Sequence, residues 1–264
     1  MSYKDILLQV EDGIGTLTLN RPEVLNSFAN RMRQETAAAV QELSERDDVH
    51  VIVITGAGRG FCAGADVTYL KEIVDSRDEG GLRDLVNAGR AVVTSIRNAP
   101  QPVIASVNGP AAGAGANLAL ACDIRIASDR ASFGQTFNRV GLHPDWGGTY
   151  FLPRLAGTAA AAELFFTGEM IPAQEAHRLG IFNRVVPHDE LAEETEKLAR
   201  MLAAKPQLAL RLAKRAIYRS PDAGMEEMLD YELDAQLQCG LSRDGIEGIT
   251  AFVEKREPQF GKDL

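Results

Sequence analysis

The stretch Val51-Ile-Val-Ile-Thr-Gly-Ala-Gly-Arg-Gly-Phe-Cys-Ala-Gly-Ala-Asp66 holds the transition on which the fold turns. Val51–Thr55 is a continuous β-branched run, the type expected for a strand buried on both faces of a parallel sheet. Gly56, Gly58 and Gly60 follow it directly, and a helix is expected to begin near Asp66. This is not a dinucleotide-binding G-x-G-x-x-G, because Phe61 stands where the third glycine should be, and no Gly-Lys-Ser/Thr marks a P-loop. On spacing alone the segment reads as a structural turn. It also offers many backbone N–H groups ahead of a helix start, a place suited to an anion or a developing negative charge.

On the N-terminal side, Ile6–Val10 and Ile14–Leu19 read as a hairpin with its turn at Asp12-Gly13. Met32–Leu43 and Leu82–Ile96 carry helical periodicity, the first with Arg33 and Glu35 on its polar face, and Pro102–Val107 is a second buried-strand run. Asn108-Gly109-Pro110 turns the chain into the small-residue segment Ala111–Ala121, and Asp123–Ala127 is again strand-like. From Thr149 onward the pattern is mostly helical, through Ala160–Phe166, Leu191–Ala204, Leu208–Ile217 and Met225–Leu237, with amphipathic character to Phe252. The expected fold class is α/β for the first two-thirds, with an all-helical C-terminal third. A chain of 264 residues is long enough for one large domain, or one domain with a helical appendage.

The formal net charge of −9 argues against a nucleic-acid scaffold or a membrane-surface binder, although a local cluster of donors could still hold an anionic ligand. Met1–Gln9 is charged and lacks the apolar core of a secretory signal. No apolar run approaches the roughly 20 residues that span a bilayer. Cys62, Cys122 and Cys239 are odd in number and far apart, which disfavours a disulfide framework or a zinc cluster. His50, His143, His177 and His188 show no metal-ligand spacing, with the last two expected on the surface, and no G-x-S-x-G elbow marks a serine hydrolase. The expectation is a soluble cytoplasmic protein without a metal.

Two further segments could carry chemistry. Gly113-Ala-Gly-Ala-Asn-Leu-Ala-Leu-Ala121 lets a helix start approach a strand or a ligand closely. Alone it reads as tight helix–sheet packing. Paired with the first glycine-rich helix start, it could supply the second of two converging N–H groups, as an oxyanion hole requires. Asp145, in Gly141-Leu-His-Pro-Asp-Trp-Gly-Gly148, reads locally as a turn residue or helix N-cap. Its neighbours Phe133, Leu142 and Trp146 are apolar, and a desolvated carboxylate among them would have the raised pKa of a base working near neutrality.

Taken in order, Leu19–Asn26, Thr55–Asp66, Pro102–Gly109, Gly113–Asn117, Ala121–Ile124 and Glu254–Phe260 resemble the crotonase (enoyl-CoA hydratase/isomerase) superfamily over essentially the whole chain. At Gly141–Thr149 the sequence is most similar to the 1,2-epoxyphenylacetyl-CoA isomerases of phenylacetate breakdown. The resemblance implies a spiral of ββα units over residues 1–200. It also implies C-terminal helices, 201–264, that build homotrimers, often paired into hexamers. The substrate would be an acyl-CoA thioester, with coenzyme A entering as part of it and no separate cofactor. Ala65 and Ala114 would give the two backbone N–H groups that hold the thioester oxygen. Glu23, Val24, Leu25, Ala63, Asp66 and Val67 would line the coenzyme-A site.

Hydratases of this family carry two glutamates where this chain has Asn117 and Phe137. An amide cannot accept and return a proton near neutral pH, and a phenyl ring can do neither. Double-bond migration needs only one base, and Asp145 stands where isomerases of this type carry their aspartate. The expected activity is therefore an acyl-CoA isomerase in which Asp145 shuttles a proton, Asn117 positions the substrate, and Phe137 and Trp146 wall an apolar acyl pocket. A hydratase or lyase on the same scaffold, and a non-catalytic acyl-CoA-binding subunit, are the alternatives.

Overall fold

The computed structural model describes residues 3–261, apart from the Asn30 side chain; Met1, where the N-terminal reading begins, and the last three residues of the tail lie outside that range. The hairpin β1 (Ile6–Glu11) and β2 (Ile14–Leu19) leads into α1 (Asn30–Ser44), β3 (Val51–Gly56), α2 (Val67–Asp75) and α3 (Glu79–Asn98). Next come β4 (Val103–Val107), β5 (Ala111–Ala112), α4 (Ala114–Ala121), β6 (Ile124–Ser128), β7 (Ser132–Gly134) and α5 (Gly148–Thr167). The chain ends through β8 (Met170–Pro172), α6 (Ala173–Arg178), β9 (Arg184–Val186), α7 (Leu191–Ala203), α8 (Gln207–Arg219), α9 (Met225–Gly240) and α10 (Arg243–Glu254).

The six-stranded sheet runs β1-β2-β3-β4-β6-β9, antiparallel only at the hairpin, and a small sheet runs β5-β7-β8. Isolated bridges from Phe28 to Ala65 and from Cys62 to Ala111 extend the small sheet's path. Each pass of the chain thus lays one segment in the large sheet and one across the small layer, then returns through a helix: β4, β5, α4 is one turn of the resulting spiral. The β-branched run alternates between two cores. Ile52 and Ile54 join the main cluster beneath α1, α3 and α4, while Val51 and Val53 pack with Ile104, Ile126, Leu191 and Leu198 against α7. A run apolar on every residue is what burial on both faces requires.

The C-terminal part is not all helical. β8 and β9 are strands of three residues each, too short to show a period, and β9 is recruited by pairing with β6 from Ile126 to Ser128. His188, expected on the surface, is half-buried and meets Ser128 Oγ at 2.9 Å. Among the described residues no helix is long and apolar enough to cross a membrane.

A buried charge fastens α8 to the spiral. Lys214, 7% exposed, meets Asp123 Oδ2 at 2.8 Å and donates to the carbonyls of Gln101 (2.9 Å) and Ile96 (3.3 Å). Asp123 also accepts from Val103 N–H and the Tyr218 hydroxyl. Removing one partner of a buried pair strands the other, at a cost of about 3–5 kcal/mol. Lys214→Met is expected to fall at the lower end, about 3 kcal/mol, because Asp123 keeps two donors. A denaturant midpoint equal to the parent's would show that the pair does not anchor α8.

Candidate active site

Two glycine-rich segments meet at the centre of the molecule. Asn26, fully buried, clamps the first: its Nδ2 donates to the carbonyls of Ala57 and Gly60, both at 2.9 Å, while its Oδ1 accepts from Arg21 N–H. Ala63 N–H donates to Leu25 O at 2.9 Å, and Phe28 brackets Gly64–Asp66 with one bond on each side. The second segment joins through Ala112 N–H to Cys62 O at 3.0 Å. Gly64 has φ +96°, and a Cβ there would stand 2.8 Å from Ala112 O and 3.4 Å from Ala114 N. A Cβ on Gly115 would fall 2.1 Å from Cys62 O, so both glycines are needed for this approach. Ala65 and Ala114 then line one cavity, and among the described residues neither backbone N–H has an acceptor. Two unpaired, fixed donors on one wall can hold an oxygen on which negative charge develops.

Asp145 enters the same cavity from the turn ahead of α5. Trp146 lies in the left-handed region at φ +50°, which a bulky residue adopts only when its surroundings impose it. Its indole is buried against Phe28, with ring centroids 4.5 Å apart. The Asp145 carbonyl accepts from Asn117 Nδ2 at 2.8 Å and from Gly148 N–H at 3.0 Å. Asn117 Oδ1 in turn accepts from Gln135 Nε2 at 2.7 Å. The main chain of Asp145 is therefore held, while one oxygen of its carboxylate, Oδ1, is buried without a hydrogen-bond partner. Burial pushes the Asp145 carboxyl up to about 6, against a downward pull from Arg33 and smaller ones from a backbone bond and His143.

The cavity measures about 450 Å³ and is mostly apolar, with Leu70, Leu85, Val86, Phe137 and Trp146 in its wall. Among its described lining residues Asp145 is the sole carboxylate; Arg33, Arg139 and His143 are the other titratable ones. Of the residues named from sequence, Ala63, Ala65, Val67, Ala114, Phe137, Asp145 and Trp146 come together here. Asn117 does not. It is fully buried behind the wall with its amide spent on Asp145 and Gln135, so it holds the Asp145 turn where substrate contact was expected. Asp66 is likewise engaged elsewhere, capping α2 and pairing with Arg21 Nη2 at 3.0 Å. Glu23, Val24 and Leu25 stand outside the cavity, in the turn joined to Ala63. Among the described residues no group of three or more His, Cys, Asp or Glu could hold a metal.

Arg33, Asn26 and Gln135 were not singled out from sequence. Asn26 closes one quoted motif, but its clamp runs to residues more than thirty positions away. Arg33 sits in a helical pattern that assigned it to the polar face, yet it is 2% exposed.

Comparison with known proteins gives concordant results. The model of the enoyl-CoA hydratase/isomerase family matches residues 9–263. The 1,2-epoxyphenylacetyl-CoA isomerase of Escherichia coli K12 is 42% identical, covering 97% of each chain, and the crotonyl-CoA hydratase of Syntrophomonas wolfei is 38% identical, covering 98% of this chain and 99% of its own. A crystal structure of enoyl-CoA hydratase from Bacillus anthracis superposes with a TM-score of 0.93 at 35% identity, covering 98% of this chain and all of that one. The spiral, the paired glycine segments and these likenesses lead to one conclusion: the chain belongs to the enoyl-CoA hydratase/isomerase family, the crotonase superfamily.

Proposed function

We propose that this enzyme is an acyl-CoA isomerase that moves a double bond, or rearranges an unsaturated or ring-bearing acyl group, with Asp145 as its single proton shuttle. The observation that carries this reading is that Asp145 is the one carboxylate among the described residues of the cavity wall. The thioester oxygen accepts from the N–H groups of Ala65 and Ala114. Asp145 removes a proton from the acyl chain, the electron pair delocalises onto that oxygen as an enolate, and the carboxylic acid returns the proton at another carbon. No atom is added and no further cofactor is consumed. Hydration would also need a group to activate water and an acid for the α-carbon; Asn117 is committed to the main chain, and Phe137 has no proton to move. The isomerase relative in Escherichia coli supports the reading, and the hydratase relatives mark the alternative.

We also propose a homo-oligomer, a trimer or a pair of trimers. Leu229, Leu233 and Leu237 repeat every four residues along α9, Leu241 caps it at the same spacing, and Ile246, Ile249, Phe252 and Val253 follow on α10, all at least half exposed. A patch of this kind marks a protein contact. Light scattering on Leu233→Glu/Phe252→Glu should give a smaller assembly than the parent; an unchanged mass would remove these helices from the interface.

Asp145→Asn keeps the shape and removes the base. It should leave thioester binding near the parent's and cut turnover by about 100- to 10,000-fold; near-normal turnover would contradict the assignment. The base must be ionised to act, so kcat/KM should fall as pH drops through about 6, by about tenfold per unit below it. Because Arg33 pulls the Asp145 pKa down, removing its charge should move that limb to higher pH. A flat profile between pH 5 and 8 would set another group in the role.

A further inference from the structure

Among the described residues, Arg33 is the one with two buried side-chain nitrogens that have no hydrogen-bond partner. Arg33 is 2% exposed, projects from α1 to the cavity wall that also carries Asp145 and Ala114, and makes no hydrogen bond or ion pair among the described residues. Its Nε and Nη1 are buried with no acceptor at all. Asp145 is not within ion-pair distance, and Asp66, the next nearest carboxylate felt by Arg33, is taken by Arg21 and the cap of α2. The guanidinium carbon lies over the Phe28 ring, 5.9 Å from its centroid, which is no hydrogen-bond acceptor of the usual kind. A buried cation without a hydrogen-bond acceptor is costly, and native proteins supply the acceptor from somewhere. Five donors in a planar fork are suited to an oxygen acceptor of the ligand.

We infer that Arg33 determines specificity by binding an oxygen carried on the acyl group, so that the enzyme takes acyl-CoA thioesters with a carboxylate or carbonyl oxygen beyond the thioester. The inference rests on the acyl-CoA reading of the cavity. The oxygen is assigned to the acyl group because Arg33 lines the cavity together with Asp145, the residue proposed to act on the acyl chain. The wall from Leu70 to Leu85 and Val86 is hydrocarbon; Thr136 and His143 also reach the lining, but His143 is exposed to water and the Thr136 hydroxyl carries no charge. Arg139 also reaches the lining but is exposed, so water already solvates it.

The test uses saturated thioesters, which bind but cannot isomerise. Calorimetric titration of the full-length protein compares butyryl-, pentanoyl- and hexanoyl-CoA with succinyl-, glutaryl- and adipoyl-CoA, and with 4-oxopentanoyl-CoA as the neutral-oxygen arm. A hydrogen bond to a charged group is worth about 1.5–3 kcal/mol, or about ten- to a hundredfold in Kd. At one chain length or more, an oxygen-bearing thioester should therefore bind at least about tenfold tighter than its alkyl counterpart. The carboxylate and carbonyl arms show which oxygen is preferred. Arg33→Met should abolish the difference and Arg33→Lys should retain part of it, each read as a ratio on the same folded protein. The wild-type comparison stands even if a variant fails to fold. Alkyl thioesters that bind with no gain from an added oxygen, or a preference that survives Arg33→Met, would overturn the inference while leaving the isomerase reading intact. Failure of every thioester to bind would overturn both.

Discussion

Everything at the centre of this molecule depends on two backbone segments lying closer than side chains allow. Ala63–Ala65 and Ala112–Gly115 touch where Gly64 and Gly115 have only hydrogen, and a methyl group at either would meet a carbonyl oxygen. The spiral delivers them there: β3 and β4 pair in parallel, so the chain leaving each strand crosses the same end of the sheet. Asn26 holds the first segment by its amide, and the bridge from Cys62 to Ala111 holds the second against it. Fixed N–H groups need no reorganisation as charge develops, which is why such donors are worth several kcal/mol in a transition state.

Against that rigid wall, Asp145 is set by a different device. Its backbone is tethered through Asn117 and Gln135 and followed by the left-handed Trp146, while one oxygen of its carboxylate is left without a partner in a mostly apolar cavity. Burial raises its pKa and the charge of Arg33 opposes the rise, so its protonation state is governed by the balance of the two. Arg33 bears the converse tension, a cation with Asp145 in the same wall but no acceptor in reach. A substrate lying between them would meet an acceptor of protons on one side and a donor of hydrogen bonds on the other.

Much of this was legible in the residues. The β-branched runs at Val51 and Val103 marked the buried strands, because burial on both faces leaves no polar alternation. The two glycine segments, Asp145, Phe137 and Trp146 were each identifiable, and the structure gathers them around one cavity. What the sequence hid was long-range. β8 and β9 are strands only because a neighbour pairs with them. Asn117 was recognised as a departure from a glutamate, but which way its amide is spent depends on Gln135 and on the carbonyl of residue 145, 28 positions away. Arg33 looked like the polar face of a helix, and only the folded packing of Phe28 and the cavity behind it reveals a buried cation.

The central claim is that one carboxylate moves a proton within the substrate and does not add water to it. Incubating the enzyme with a trans-2-enoyl-CoA in deuterated water and analysing the product by mass spectrometry and proton NMR tests this most directly. The account predicts a product with the double bond shifted, deuterium incorporated into the acyl chain, and no gain of oxygen. A 3-hydroxyacyl-CoA as the main product would contradict it.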